Sequence, residues 1–170
     1  MLSSYSSAGP QQPNEANLRI MFQVTREIDF CYGHRLLDYD GKCKNLHGHN
    51  GKVLITLEAT SLDPLGMVLD FADIKRVIQK WIDDKLDHRM ILRRDDPVVE
   101  TLLQMGEPIM LIDQNPTAEN IAKLIADYGL EQGFPVVEVR LWETPHCSAT
   151  YLVPGNGAIE NSAARAETEN

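Results

Sequence analysis

The chain has no apolar run longer than a few residues. That excludes a membrane-spanning helix, which needs about 20 consecutive apolar residues. Its opening, Met1-Leu2-Ser3-Ser4-Tyr5-Ser6-Ser7, has neither the basic start nor the apolar core of a secretion signal, so the cytoplasm is the expected compartment. Cysteine is scarce. Cys31, Cys43 and Cys147 form an odd set without framework spacing, and reduced thiols are expected rather than disulfides. Positive charge is short as well: 16 Lys and Arg against 25 Asp and Glu leave a formal net charge of −9, which argues against a nucleic-acid partner. No internal repeat is evident. What the chain does have is 43% hydrophobic residues over 170 positions, enough for the core of one domain.

Residues 1–18 are rich in Ser, Pro, Gln and Asn without apolar periodicity and read as a disordered leader. The domain is expected over 19–154, and 155–170 read as a flexible tail. Phe22, Val24, Ile28 and Phe30 alternate with polar residues as a half-buried strand, broken by Arg26 on the apolar side, and His34 follows. Val53, Ile55 and Leu57 mark a second strand, and His47 and His49 share their parity. Asp70 precedes Phe71, Ile74, Ile78, Trp81 and Ile82 at helical spacing, with the helix ending near Leu86. Arg93 to Asp96 read as a solvated turn and Pro97 to Met105 as a short helix. Thr117 is placed as the N-cap of a further helix with Ile121, Leu124, Ile125 and Tyr128 as its stripe. Val137, Val139 and Leu141 form a third strand, with Glu143 continuing its face, and Ala149, Tyr151 and Val153 form a fourth. The expected fold is α+β: a four-stranded antiparallel sheet with two helices on one face, in the order β-β-α-α-β-β. A sheet this small has free edges, through which association is expected.

The chemistry concentrates in Cys43-Lys44-Asn45-Leu46-His47-Gly48-His49. Alternate residues of a strand share a face, so His47 and His49 can aim at one ion. His34 on a paired strand would complete three imidazoles and leave a position open, the catalytic pattern for Zn²⁺. Two readings of Cys43 fit the spacing: a thiol beside the metal, or a fourth ligand that closes a structural site. Asp87-His88 at a helix end is either a proton relay or charge compensation of the helix dipole. Glu143 either binds an amidine-like or guanidine-like ligand edge or has already reached solvent. Arg35, Lys42, Lys44 and Lys52 against Asp38 and Asp40 make the motif locally basic, which suits an anionic small molecule.

Six segments, in order between Met21 and Val153, resemble the 6-pyruvoyltetrahydropterin synthase and 6-carboxytetrahydropterin synthase family. They are Phe30 to Leu36 with His34, Cys43-x-x-x-His47-Gly48-His49, Leu69-Asp70-Phe71-Ala72-Asp73, Leu86-Asp87-His88, Pro116-Thr117-Ala118-Glu119-Asn120, and Val139-Arg140-Leu141-Trp142-Glu143-Thr144. The resemblance implies a tunnel fold in which three subunits join as a barrel, commonly a homohexamer of two stacked trimers with active sites between subunits. It implies Zn²⁺ on His34, His47 and His49, a catalytic thiol at Cys43, and a relay at Asp87 and His88. It places the pterin ring on Glu143, with Thr117 beside it. The implied substrate is 7,8-dihydroneopterin triphosphate. The short spacer between Cys43 and His47 resembles the carboxy-forming bacterial members, so the implied products are 6-carboxy-5,6,7,8-tetrahydropterin, acetaldehyde and triphosphate, on the route to queuosine. Alternatives are a pyruvoyl-forming synthase of the biopterin type and a non-enzymatic zinc-stabilised assembly with Cys43 as ligand. Lys44 is the expected contact for triphosphate. Residues 89–115 are longer than a compact member requires.

Overall fold

In the computed structural model the described residues are 21–155. The leader expected over 1–18, and all of the tail beyond Gly155, lie outside them. β1 (Phe22–His34) and β2 (His47–Ala59) pair antiparallel along their whole length, with Ile28 opposite Val53, Tyr32 opposite His49, and His34 opposite His47. Alternation sends Ile28, Phe30, Tyr32 and His34 inward from β1 and Val53, Ile55 and Leu57 inward from β2, each of them buried.

The first helix, α1, runs through three segments, Phe71–Ile74, Lys75–Gln79 and Lys80–Lys85, with the middle one a π turn. Asp70 caps it by accepting from the Ala72 amide at 2.8 Å. Its core residues explain the π turn. Ile74, Ile78, Ile82 and Leu86 are all fully buried and recur every fourth position. On an α-helix of 3.6 residues per turn, such a repeat drifts about 40° with each step. A wider π turn takes up part of that drift, so one row of side chains keeps facing the sheet.

The sheet has six strands, not four, and it is mixed: β4-β3-β1-β2-β5-β6. The expected four-stranded antiparallel order β-β-α-α-β-β is corrected by the segment that follows α1. There β3 (Arg89–Arg93) and β4 (Ile109–Ile112) flank the helix α2 (Val98–Gln104) and join β1 and each other in parallel. Their apolar runs, Met90-Ile91-Leu92 and Ile109 to Ile112, are too short to show a period, which is why they read as a connection. The short helix at 97–105 is present, and so is an exposed turn at Arg94 and Asp95, but Asp96 does not share its solvation. Asp96 is buried with its carboxylate on the Arg35 guanidinium, whose Nε donates to Oδ2 at 2.7 Å.

α3 (Ala118–Glu131) begins at Thr117, whose hydroxyl accepts from the Asn120 amide at 3.4 Å. It buries Ile121 and Ile125 with Ala122, Ala126 and Gly129 against the sheet. Tyr128 stacks on Trp81 of α1 with ring centroids 4.4 Å apart, tying the two helices together. β5 (Val136–Thr144) and β6 (Cys147–Leu152) close the other side of the sheet. A register shift at Thr56/Leu57 sets Leu57 opposite Val136, so Val136, and not Val137 as expected, is the inward residue there.

Candidate active site and metal centre

Because His34 and His47 face each other across β1 and β2, and His49 is two positions on, all three imidazoles meet at the inner end of the strand pair. Their ligand atoms lie within 4.8 Å of one another. Nε2 of His34 and Nε2 of His49 are 3.1 Å apart. Two nitrogens bound to one tetrahedral zinc are separated by about 3.3 Å, so this pair is already near the required spacing. Gly48 permits the close approach: a Cβ there would lie 2.8 Å from the Tyr32 carbonyl oxygen.

Backbone carbonyls orient two of the rings. His34 Nδ1 lies 2.6 Å from the Pro116 carbonyl, and His47 Nδ1 lies 2.8 Å from that of Asn45. Each carbonyl takes an N–H, which fixes the tautomer and leaves Nε2 as the lone-pair donor for a metal. Burial, the largest influence, pushes the His34 pKa down; the Pro116 carbonyl and Glu143 oppose it without reversing the sign. His34 is therefore held neutral, as a metal ligand must be. A donor set of three imidazoles suits a borderline divalent ion such as Zn²⁺.

Glu143, from the end of β5, reaches the same place, with Oε1 3.8 Å from His34 Nε2. It accepts a hydrogen bond from the Tyr32 hydroxyl at 3.0 Å. Burial first, and the Glu143 charge second, push the Tyr32 pKa well up, so the phenol keeps its proton and donates it. Tyr32 packs edge-on to His34, with centroids 5.4 Å apart, and Gly51, opposite Phe30 on β2, leaves room for the Tyr32 ring. Sequence reasoning did not single out Tyr32. The signal was available, since it sits at the even parity that runs from Ile28 to His34.

Asp87 and His88 are brought together but stand apart from the histidine cluster. Asp87 Oδ1 accepts from the Cys31 amide at 2.7 Å, and Oδ2 accepts from His88 Nδ1 at 2.7 Å. His88 adopts a left-handed backbone, φ +54°, with its amide bonded to the Cys31 carbonyl. By strand alternation Cys31 and its partner Asn50 project from the face opposite to His34 and His49. These groups border an open cleft of about 630 Å³ that runs past Cys31, Asn50 and His88 to the edge of His47 and His49. That is the size range of small-molecule sites.

Cys43 and Lys44 lie in a 3₁₀ turn, Lys42–Lys44, between the two long strands. Cys43 is partly buried and its carbonyl accepts from the Leu36 amide, but its thiol is not in the cluster formed by the three histidines. Lys44 is exposed, 3.8 Å from Asp40. Thr117 follows the Pro116 carbonyl that holds His34, so the start of α3 abuts the site.

A family model described as 6-pyruvoyl tetrahydropterin synthase matches residues 23–153. The chain belongs to that family. It is 40% identical over 134 residues to the 6-carboxy-5,6,7,8-tetrahydropterin synthase of Rickettsia typhi, covering 75% of this chain and 97% of that protein. The protein of the same name from Haemophilus influenzae is 32% identical over 139 residues, 77% of this chain and 99% of the other. A 6-pyruvoyl tetrahydrobiopterin synthase of Pongo abelii is 34% identical over 149 residues, covering 78% and 92%. Among solved structures, an uncharacterised protein of Wolinella succinogenes superposes with a TM-score of 0.67 at 30% identity, over 78% of this chain and 98% of that one. The 6-pyruvoyl tetrahydropterin synthase of Caenorhabditis elegans gives 0.59 at 27%, over 79% and 96%. The family relatives are tetrahydropterin synthases, and this chain is an enzyme of that lyase group with its α+β fold.

Proposed function

We propose that this protein is a 6-carboxy-5,6,7,8-tetrahydropterin synthase, converting 7,8-dihydroneopterin triphosphate to 6-carboxy-5,6,7,8-tetrahydropterin, acetaldehyde and triphosphate. The observation that carries the reading is the three-imidazole cluster with Glu143 at its edge, in a chain whose relatives from Rickettsia typhi and Haemophilus influenzae bear that name.

His34, His47 and His49 would hold Zn²⁺ through imidazole nitrogens. Zinc bound there would polarise the hydroxyls of the substrate side chain and make the adjacent C–H more acidic. Glu143, held by the Tyr32 hydroxyl, takes the amino-pyrimidine edge of the pterin through its free lone pairs. Thr117 lines the pterin, and Lys44, exposed beside Asp40, meets the triphosphate. Cys43 is the proton acceptor, and Asp87 orients His88 and stabilises its protonated form as a relay. The relay lies on the other face of the strand pair from the histidines, which fits active sites built between subunits of a homohexamer, a dimer of trimers: one copy's relay would serve another copy's metal. The single catalytic domain spans 19–154, works in the cytoplasm, and supplies the route to queuosine.

A second reading, a pyruvoyl-forming synthase, is favoured by the 34% identity to the Pongo abelii protein. The non-enzymatic zinc-stabilised assembly needs Cys43 as a ligand, and the Cys43 thiol lies outside the histidine cluster. Anaerobic incubation of protein carrying one equivalent of zinc per chain with 7,8-dihydroneopterin triphosphate, followed by mass analysis and an acetaldehyde assay, separates these. Carboxytetrahydropterin with acetaldehyde is expected. Pyruvoyltetrahydropterin without acetaldehyde would replace the first reading by the second, and no turnover would refute both.

A further inference from the structure

Cys31, which the mechanism above does not use, lies against the relay. Its Sγ, a carboxylate oxygen of Asp87 and a ring nitrogen of His88 lie within 4.8 Å of one another. The Cys31 thiol also donates to Oδ1 of Asn50 at 3.2 Å, which sets an oxygen beside the sulfur as a fourth donor atom. We propose that Cys31, Asp87 and His88, with Asn50 as the fourth donor, form a second divalent-metal site, distinct from the three histidines, and that filling it inhibits the enzyme.

The donors meet the requirements of such a site one by one. A thiolate, an imidazole and a carboxylate form a borderline-soft set that selects Zn²⁺ or Co²⁺ over Mg²⁺ or Ca²⁺. In a tetrahedral centre these atoms stand about 3.3–3.7 Å apart, so movements of about an ångström close the site. Two of the three residues are fixed in place. The Asp87 carboxylate is anchored by the Cys31 amide, and the His88 backbone is bonded to the Cys31 carbonyl. Cys31 thus holds both partners through its main chain and offers its side chain to the same ion. Access is open, since the His88 side chain is 79% exposed and Cys31 lines the cleft. On binding, the thiol proton leaves to solvent and the thiolate, carboxylate and imidazole share the cation.

The inhibition follows from how Asp87 and His88 are used, and this part rests on the relay reading; occupancy of the site does not. A metal on these groups holds the lone pairs that the relay needs for protons. Free zinc beyond the amount that fills the trihistidine centre would therefore silence turnover.

The test uses full-length protein stripped of metal by a chelator and titrated with Co²⁺. Wild type should take two equivalents per chain, with a thiolate-to-cobalt charge-transfer band in the near ultraviolet tracking one of them. Cys31→Ser should lose the band and one equivalent, Cys43→Ser should keep both, and His47→Ala should lose the other equivalent while keeping the band. A single equivalent in wild type, no thiolate band, or a band that survives Cys31→Ser would overturn the site. In turnover assays, a second equivalent of Zn²⁺ should abolish the activity of wild type and leave Cys31→Ser unaffected. A filled second site with undiminished turnover would confirm the site while refuting the relay role of Asp87 and His88.

Discussion

Replacing Arg35 by Met should destabilise the fold by about 3 kcal/mol, the low end of the range for breaking a buried ion pair. Asp96 has a side chain with no exposed surface, and its carboxylate is held by two Arg35 nitrogens and by the Val98 amide at 2.9 Å. Without Arg35 the carboxylate keeps the amide but loses its adjacent countercharge. The low end applies because Arg35 is itself 22% exposed, so water reaches one member of the pair. Against a total stability of roughly 5–15 kcal/mol this is a large fraction. With a urea dependence of about 1–3 kcal/mol per molar, the unfolding midpoint should fall by roughly 1–3 M. Equilibrium urea unfolding followed by circular dichroism measures it. The double variant Arg35→Met, Asp96→Asn should be no less stable than Arg35→Met, because the bare charge has gone. A midpoint shift below about 0.3 M, or a double variant showing the two losses added together, would refute the claim that a desolvated carboxylate sets the cost.

The same pair fixes a pH dependence. Arg35 hydrogen bonding is the main cause that holds the Asp96 pKa below its ordinary value of 3.8, so its contribution is full above that value and is lost as pH falls through the lower folded one. The stability difference between wild type and Asp96→Asn should accordingly be flat from pH 7 to about 4 and shrink below, read from urea midpoints. Tyr32→Phe removes a hydrogen bond to a charged group worth about 1.5 kcal/mol at this partly exposed carboxylate, so KM should rise roughly tenfold with kcat little changed; an unchanged KM would separate Tyr32 from pterin binding. His47→Ala should lose the trihistidine metal and turnover, whereas Cys43→Ala should keep the trihistidine metal and lose turnover, checked by elemental analysis beside the product assay. Thr117→Ala should cost about 1 kcal/mol as a lost helix cap, and a much larger loss of activity than of stability would mark contact with the pterin.

The strand pair and its histidines were legible because period-two alternation and parity are local properties: His47 and His49 share the phase of Val53, and the structure turns all of them to one face. The cap residues Asp70 and Thr117 were legible for the same reason, since a side chain that bonds two or three residues ahead needs no tertiary context. What could not be read was non-local. Asp96 sits in a run of four charges that looks solvated, and only Arg35, 61 positions away, makes it a buried anchor. β3 and β4 are too short to carry a period, and parallel pairing leaves no turn signature between neighbours. Cys31 beside Asp87 and His88 depends on where the end of α1 meets β1, a distance of 56 residues along the chain.

The π turn in α1 bears on that meeting point. Leu86 is the last residue of the buried row, and Asp87 and His88 follow it directly. The angle at which the chain leaves the helix is therefore set by the winding of Lys75–Gln79. Removing one residue there would rotate everything downstream by about 100° about the helix axis, swinging Ile82 and Leu86 off the sheet or, if they stayed, pulling the Asp87 carboxylate from the Cys31 amide. The under-wound turn thus acts as a phase setting. It lets one row of side chains satisfy the core while the next two residues arrive in the orientation that their hydrogen bonds require.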